Sequence, residues 1–375
     1  MNKKILFLTA TRADFGKLKS LMKALEQEDG FEVLIFVTGM HMLRQYGYTS
    51  EEVKKCGFKN IYYYINQKSG DSMDSILANT IEGLGNYINM VNPDMIVVHG
   101  DRAEALAGAI SGALNNFLVA HIEGGEVSGT VDESIRHSTS KLAQIHFVAN
   151  DEAKNRLLRM GEASKNIHII GSADIDFMLS DELPSLEEAK RNYEVSFDKY
   201  ALFLYHPVTT SLHNLLHSTK EIIEGARRSG KNFVVIYPNN DPGSGIIIEE
   251  LELLRDDPHF RVFPSIRFEY FLTFLKNCEF IIGNSSAGIR EAPVYSVPNI
   301  NVGTRQKNRF SHNTIINIAE SSHAIEKAIK EVGGIERIPS NRFGDGDSTQ
   351  KFVEALKGQQ FWETTIQKHF VDNHV

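Results

Sequence analysis

The sequence predicts an α/β protein of two doubly wound, Rossmann-like domains facing a central cleft, and three observations carry that reading. Short, nearly continuous apolar runs recur along the chain, each ending at polar or glycine-containing sequence. Amphipathic stretches of helical period separate them, the alternation that gives parallel sheets covered on both faces. The chain is also 375 residues long, too long for one ordinary domain and comfortable for two.

In chain order, Ile5–Thr9, Glu32–Val37, Met95–His99, Leu118–Glu123 and His146–Val148 read as the first strands. Leu18–Glu26, Met73–Met90, Arg102–Leu114 and Asp132–Leu142 are the helices among them. A break near Leu179–Leu186, with Ser-Asp-Glu-Leu-Pro-Ser, reads as a linker. Tyr200–Tyr205, Asn232–Tyr237, Arg261–Phe263, Phe280–Gly283 and Pro298–Val302 form the second strand set. Lys220–Arg228, Phe268–Lys276 and Ala287–Ala292 are helices of that half. The expected division is 1–178 for the first domain and 179–354 for the second, with the tail 355–375 packing back on the first. Thr349–Lys357 is helical in pattern, and there is no internal repeat or low-complexity tract.

Composition narrows the function classes. Hydrophobic residues make up 42% and charged residues 23%, the balance of a globular enzyme and not of a disordered chain, a fibre or a membrane bundle. Forty basic against 48 acidic side chains leave −8, which argues against general affinity for nucleic acid or anionic membrane. An anionic ligand must therefore be held by a local cluster of positive charge. The two cysteines, Cys56 and Cys278, are too few for a disulfide framework or a zinc site and fit a reducing compartment. The N-terminal apolar run is a strand rather than a signal peptide, and no stretch is long enough to span a bilayer. A cytoplasmic protein is expected.

In doubly wound folds the residues after each strand carry the chemistry. The first strand is followed by Thr9-Ala-Thr-Arg-Ala-Asp-Phe-Gly-Lys, with Arg12, Gly16 and Lys17 at a helix entry. Two cations beside a helix N-terminus suit a pyrophosphate, though a capped helix with solvated charges has the same pattern. The absence of Gly-x-Gly-x-x-Gly weakens a dinucleotide reading. Gly100-Asp101-Arg102, His121-Ile-Glu123-Gly-Gly-Glu and Ser128-Gly-Thr-Val-Asp132-Glu-Ser-Ile-Arg136-His then bring Asp101, Glu123 and Asp132 to one rim. Each alone reads as a helix cap, Asp132 most of all. Together, their mutual repulsion raises at least one proton affinity toward a useful acid or base. Arg136, about one turn beyond Asp132, is placed to orient it.

The second half offers His206 in His-Pro-Val-Thr-Thr, and Asn239 in Tyr-Pro-Asn-Asn-Asp-Pro after the next strand. His213 and His217 stand four apart without the glutamate of a zinc-protease helix, so no metal is expected. Gly283-Asn-Ser285-Ser286-Ala-Gly-Ile-Arg-Glu291-Ala-Pro follows a strand and opens a helix. Its hydroxyls and helix-start N–H groups suit a phosphate, and Glu291 suits the hydroxyls of a ribose. The alternative is a capped helix packed on a core. Pro264-Ser-Ile-Arg267-Phe-Glu-Tyr frames a flat base or simply starts a core helix.

With these motifs the sequence resembles the hydrolysing UDP-N-acetylglucosamine 2-epimerases, the NeuC type of bacterial sialic acid biosynthesis. The resemblance runs from Lys4 to about Arg309. Its first motif departs from the Gly-Thr-Arg-Pro-Glu start of non-hydrolysing relatives. The resemblance implies a glycosyltransferase-B-like fold, a homodimer, a UDP-sugar substrate and no tightly bound cofactor. It implies Asp101, Glu123, Asp132 and His206 as catalytic residues. Arg12, Ser285, Ser286 and Glu291 would contact UDP, with Lys17, Arg102 and Arg267 as further correspondences; Gly16, Arg136 and Asn239, read from their own strand ends and helix starts, complete the expected substrate-binding set. The same chemistry on UDP-N,N′-diacetylbacillosamine and a UDP-sugar glycosyltransferase of the same fold are the alternatives.

Overall fold

The computed structural model describes residues 2–128, 131–209, 211–369 and 371. Gly129 and Thr130 of the Ser-Gly-Thr-Val motif, Thr210 of the His-Pro-Val-Thr-Thr motif, and tail residues 370 and 372–375 lie outside the described residues. Residues 1–126, 132–180 and 342–375 make one unit, and 127–131 with 181–341 make the second.

The first unit begins with β1 (Lys3–Thr9), α1 (Arg12–Glu26), β2 (Phe31–Val37), α2 (Ser50–Lys55) and β3 (Asn60–Tyr63). It continues with α3 (Met73–Val91), β4 (Met95–His99), α4 (Ala103–Leu114), β5 (Leu118–Ile122) and α5 (Val131–Leu142). Next come β6 (Ile145–Val148), α6 (Asp151–Arg159), β7 (Ile167–Ile169) and α7 (Ala173–Leu179). All seven strands are parallel, in the order β3-β2-β1-β4-β5-β6-β7. Central strands are buried along nearly their whole length, which is why they read as unbroken apolar runs. Alternate side chains feed two cores: Ile5 and Phe7 on one face, Leu6 and Leu8 on the other.

The second unit comprises α8 (Leu186–Asn192), β8 (Ala201–Leu204), α9 (Leu215–Arg228), β9 (Phe233–Ile236), α10 (Ser244–Glu252) and β10 (Phe260–Phe263). It is completed by α11 (Phe268–Asn277), β11 (Ile281–Gly283), β12 (Asn299–Val302), β13 (Ile315–Ile318) and α12 (Ser322–Glu331). Its six strands are parallel, ordered β10-β9-β8-β11-β12-β13, with a core on each face. Both sheets reverse strand order once, at β1/β4 in the first unit and β8/β11 in the second. Those reversal points are where open α/β sheets take ligands.

Besides the short strands β3, β7 and β13, which the sequence reading does not include, three features differ from it. Helix α1 starts at Arg12, six residues before Leu18, because Thr11 and Asp14 form a reciprocal capping box. The expected helix Ala287–Ala292 is two 3₁₀ turns, Ser286–Gly288 and Ala292–Tyr295. The chain also re-enters the first unit at Arg342, earlier than the expected 355. There α13 (Ser348–Lys357) buries Phe352, Val353 and Leu356 in the core that contains Phe7 and Phe147. Phe352 meets Phe147 edge-on, with ring centroids 4.7 Å apart. Burying such a ring is worth about 2–3 kcal/mol, enough to decide which unit the segment joins.

Candidate functional site

In the first unit two of the expected carboxylates, Asp101 and Glu123, come together beside the reversal point through Arg136. Glu123 follows β5 with φ +64, a left-handed conformation costly for a residue with a Cβ. Its N–H donates to the Phe147 carbonyl at 3.0 Å, and its carbonyl accepts from Arg136 Nη1 at 2.5 Å. Arg136 is almost fully buried and also donates through Nη2 to Asp101. One guanidinium on α5 thus ties together the ends of β4 and β5. Asp132, expected to be oriented by Arg136, is the second residue of the same helix and is half-buried.

The Glu123 carboxylate lies among buried polar groups. Its Oε1 accepts from Lys17 Nζ at 3.1 Å and Ser172 Oγ at 3.0 Å, and His99 Nε2 lies 3.4 Å away. Lys17 is itself buried, and its ammonium is 3.4 Å from Asp174 Oδ2. The sequence reading set Lys17 beside a pyrophosphate; the structure puts it within a carboxylate pair. His99, Ser172 and Asp174 were not picked out from the sequence. For Ser172 and Asp174 the signal was a further strand end, Gly171-Ser172-Ala173-Asp174, hidden because β7 has only three residues.

His121 fixes the loop beneath this cluster. Its Nε2 is 2.8 Å from the Gly100 carbonyl and its Nδ1 is 2.9 Å from Ser140 Oγ. A carbonyl only accepts, so Nε2 carries the proton and Nδ1 accepts from the hydroxyl. Burial pushes its pKa down to about 3, so the ring stays neutral through the physiological range.

At the start of α1, Asp14 accepts from the backbone N–H groups of Ala10 and Thr11 at 3.0 and 3.2 Å. Arg12 makes a two-point contact with Glu52 of α2, its Nε donating at 2.8 Å. The capping pattern is therefore realised, and the arginine is already steered by a carboxylate. Gly16 is half-buried on α1. Arg102 immediately precedes α4, with Nε 3.4 Å from Glu104.

In the second unit the reversal point is organised by Asn284. Its Oδ1 accepts from His206 N at 2.7 Å and its Nδ2 donates to the His206 carbonyl at 2.9 Å. Its own carbonyl accepts from Gln306 Nε2 at 2.9 Å and Arg305 Nη1 at 3.3 Å. His206 Nδ1 accepts from the Asn239 backbone N–H at 3.1 Å, which leaves Nε2 as the proton-bearing nitrogen of the neutral ring. The expected Asn239 therefore contributes its backbone to His206. The preceding Gly283 has φ +130, and a Cβ there would lie 1.8 Å from the Leu204 carbonyl oxygen. Only glycine lets β11 turn toward Asn284.

Ser285 caps the first 3₁₀ turn, its Oγ accepting from Ala287 N at 3.3 Å, and Ser286 begins that turn half-buried. Glu291 is buried, its N–H donating to the Ala287 carbonyl at 3.2 Å. The small residues of this stretch are partly explained by packing, since a Cβ on Gly288 would meet the Asn299 side chain at 2.5 Å. Arg267 is exposed, its guanidinium 5.4 Å from the Tyr270 ring centroid. Arg305 and Gln306, after β12, were missed by the sequence reading. Among the described residues no group of three or more His, Cys, Asp or Glu side chains forms a metal site, and no helix is long and apolar enough to cross a membrane.

Residues 23–357 match the family model described as UDP-N-acetylglucosamine 2-epimerase. The chain is 47% identical over 374 residues to the UDP-N-acetylglucosamine 2-epimerase of Neisseria meningitidis serogroup B, covering 99% of each. It is 33% identical over 364 residues to the UDP-N,N′-diacetylbacillosamine 2-epimerase (hydrolyzing) of Legionella pneumophila, covering 95% of this chain and 96% of that protein. The fold is that of the crystal structure of Methanocaldococcus jannaschii UDP-GlcNAc 2-epimerase in complex with UDP-GlcNAc and UDP. That match has a TM-score of 0.81 and 21% identity, covering 94% of this chain and 99% of the other.

Proposed function

The chain belongs to the UDP-N-acetylglucosamine 2-epimerase family, and from that premise we propose that it is a hydrolysing member. It converts UDP-N-acetylglucosamine and water to N-acetylmannosamine and UDP. The single observation that carries the substrate is end-to-end identity of 47% with the Neisseria enzyme. The hydrolysing outcome draws on the Legionella relative, whose sugar is a diacetylated one.

The proposed chemistry has two steps. A base takes the C2 proton as the C1–O bond to UDP breaks, giving an acetamidoglycal. Water then adds its oxygen at C1, and a proton returns to C2 from the opposite face. Two faces need two proton carriers, and Glu123 and Asp132 fill those roles, with Asp101 tied to the Glu123 carbonyl through Arg136. The buried ammonium of Lys17 holds Glu123 in place. His206, with its Nε2 protonated by the tautomer argument, donates toward the departing diphosphate. Arg12, Ser285, Ser286 and Glu291 hold the nucleotide, so Arg12 must share or leave Glu52 when UDP binds. The same reading takes the enzyme as a cytoplasmic homodimer that opens sialic acid synthesis; sedimentation checks the oligomer.

Proton NMR of UDP-N-acetylglucosamine with the enzyme in heavy water tests the proposal. Release of UDP with N-acetylmannosamine deuterated at C2 is the expected result. An epimerised sugar still attached to UDP would replace the hydrolysing reading. Turnover of UDP-N,N′-diacetylbacillosamine alone would reassign the substrate.

A further inference from the structure

Asp174 is a fully buried carboxylate at the start of α7, and the reaction proposed above gives it no part. It reaches the same ammonium as Glu123: Lys17 Nζ is 3.4 Å from Asp174 Oδ2 and 3.1 Å from Glu123 Oε1. The two carboxylate oxygens are therefore no further apart than those distances laid end to end. Side-chain exposure is 10% for Lys17, 7% for Glu123 and 0% for Asp174, so water screens this group weakly. The Lys17 ammonium is thus shared between the two carboxylates.

We propose that Asp174 is a positioning residue that sets the proton affinity of Glu123 by competing with it for Lys17. This rests on Glu123 being a proton carrier. A buried ammonium dedicated to Glu123 would hold its carboxyl ionised and too weakly basic to retain a proton from C2. A second carboxylate on that ammonium opposes the effect, because like charge favours the protonated form. α7 contributes through two residues: Ser172, just before it, donates to Glu123, and Asp174 draws on Lys17. Glu123 is also faced by His99 from β4, 3.4 Å away, and by Arg136 from α5, which is on the Glu123 carbonyl and on Asp101. His121, on the strand that leads into Glu123, is neutral. The arrangement makes a signed forecast. Removing the charge of Asp174 must lower the proton affinity of Glu123, and removing that of Lys17 must raise it.

The test is a carbon-13 NMR titration of the full-length enzyme labelled at glutamate side-chain carboxyls. The Glu123 resonance is assigned by its loss in Glu123→Gln. Asp174→Asn, nearly isosteric, is expected to move the Glu123 midpoint down by about one to two pH units. Lys17→Met is expected to move it up by a comparable amount, and Asp174→Glu to restore the wild-type value. The limb of the kcat/KM profile governed by Glu123 is expected to move with the titration. A Glu123 midpoint unmoved or raised in Asp174→Asn, or unmoved or lowered in Lys17→Met, overturns the proposal. If Asp174→Asn does not fold, Asp174→Ser carries the same forecast, and a Glu123 midpoint unmoved or raised there overturns the proposal. The titration needs no substrate, so opposite shifts in an enzyme that releases no UDP would refute the assigned reaction and leave this linkage standing.

Discussion

Replacing Asn284 with alanine is expected to detach His206 from its sheet. The side chain is fully buried and makes two hydrogen bonds to a single residue's backbone, at 2.7 Å and 2.9 Å. Each is worth about 1–1.5 kcal/mol net, and an unpaired buried partner adds a penalty of its own. The loss is therefore about 3 kcal/mol, felt where β8 meets β11. Hydrogen exchange followed by mass spectrometry on peptides spanning 200–208 measures it directly, as opening roughly two orders of magnitude more frequent. Global fluorescence would miss the effect, because the single tryptophan, Trp362, lies in the first unit. Asn301→Ala is the control: its amide donates to Asn317 at 2.7 Å, so its cost is about 1 kcal/mol. A displaced His206 is expected to lower kcat/KM about 100-fold while the first unit's exchange is unchanged. Exchange at 200–208 altered no more than in Asn301→Ala would refute the view that Asn284 holds His206.

Four further outcomes are expected. Gly283→Ala combines a φ of +130 with a Cβ 1.8 Å from the Leu204 carbonyl, so the variant is expected to yield no folded second unit in expression trials. Burial pushes Glu162 up, but His146 and Lys368 outweigh it and hold its carboxyl down at about 2, against an ordinary 4.5. A depressed folded value adds stability above pH 4.5 that is lost as pH falls toward 2, so Lys368→Met is expected to raise the acid-unfolding midpoint read by Trp362 fluorescence. Glu123→Gln and Asp132→Asn are expected to abolish turnover with little change in UDP affinity by calorimetry; equal losses of both would contradict proton transfer. Arg12→Ala is expected to weaken UDP binding tenfold or more, and unchanged affinity would remove it from the nucleotide site.

The central strands were legible because burial on both faces writes them as apolar runs: Met95–His99 is the same in sequence and structure. Edge strands were not. Asn60–Tyr63 and Ile315–Ile318 are only partly covered, and a half-buried four-residue strand carries too little pattern to stand out. The onset of α1 was hidden for a related reason, since Asp14 serves the cap and Arg12 pairs with Glu52, and the apolar face begins only at Phe15 and Leu18. Strand-end logic found Asp101, Glu123 and His206, but not which neighbours each would take. Lys17 is the clearest case. A lysine beside a helix start looks like a phosphate ligand until the fold brings Glu123, 106 residues away, against it. Asn284, the hub of the second unit's site, stood inside a motif whose neighbouring serines drew the attention.

Because 181–341 interrupts the first unit, synthesis order and folding order cannot coincide. A nascent chain that has emerged through Asn341 holds nearly everything the second unit needs. The first unit, although begun at the first strand, still lacks α13. Until that helix arrives, the side of its core that Phe352, Val353 and Leu356 will cover leaves Phe7 and Phe147 without their partner ring. Such a face invites association with other unfinished chains, which makes the interval before residue 356 the vulnerable stage of biogenesis. The unit that carries Asp101, Glu123 and Asp132 is thus closed only after the unit that carries His206 is already whole.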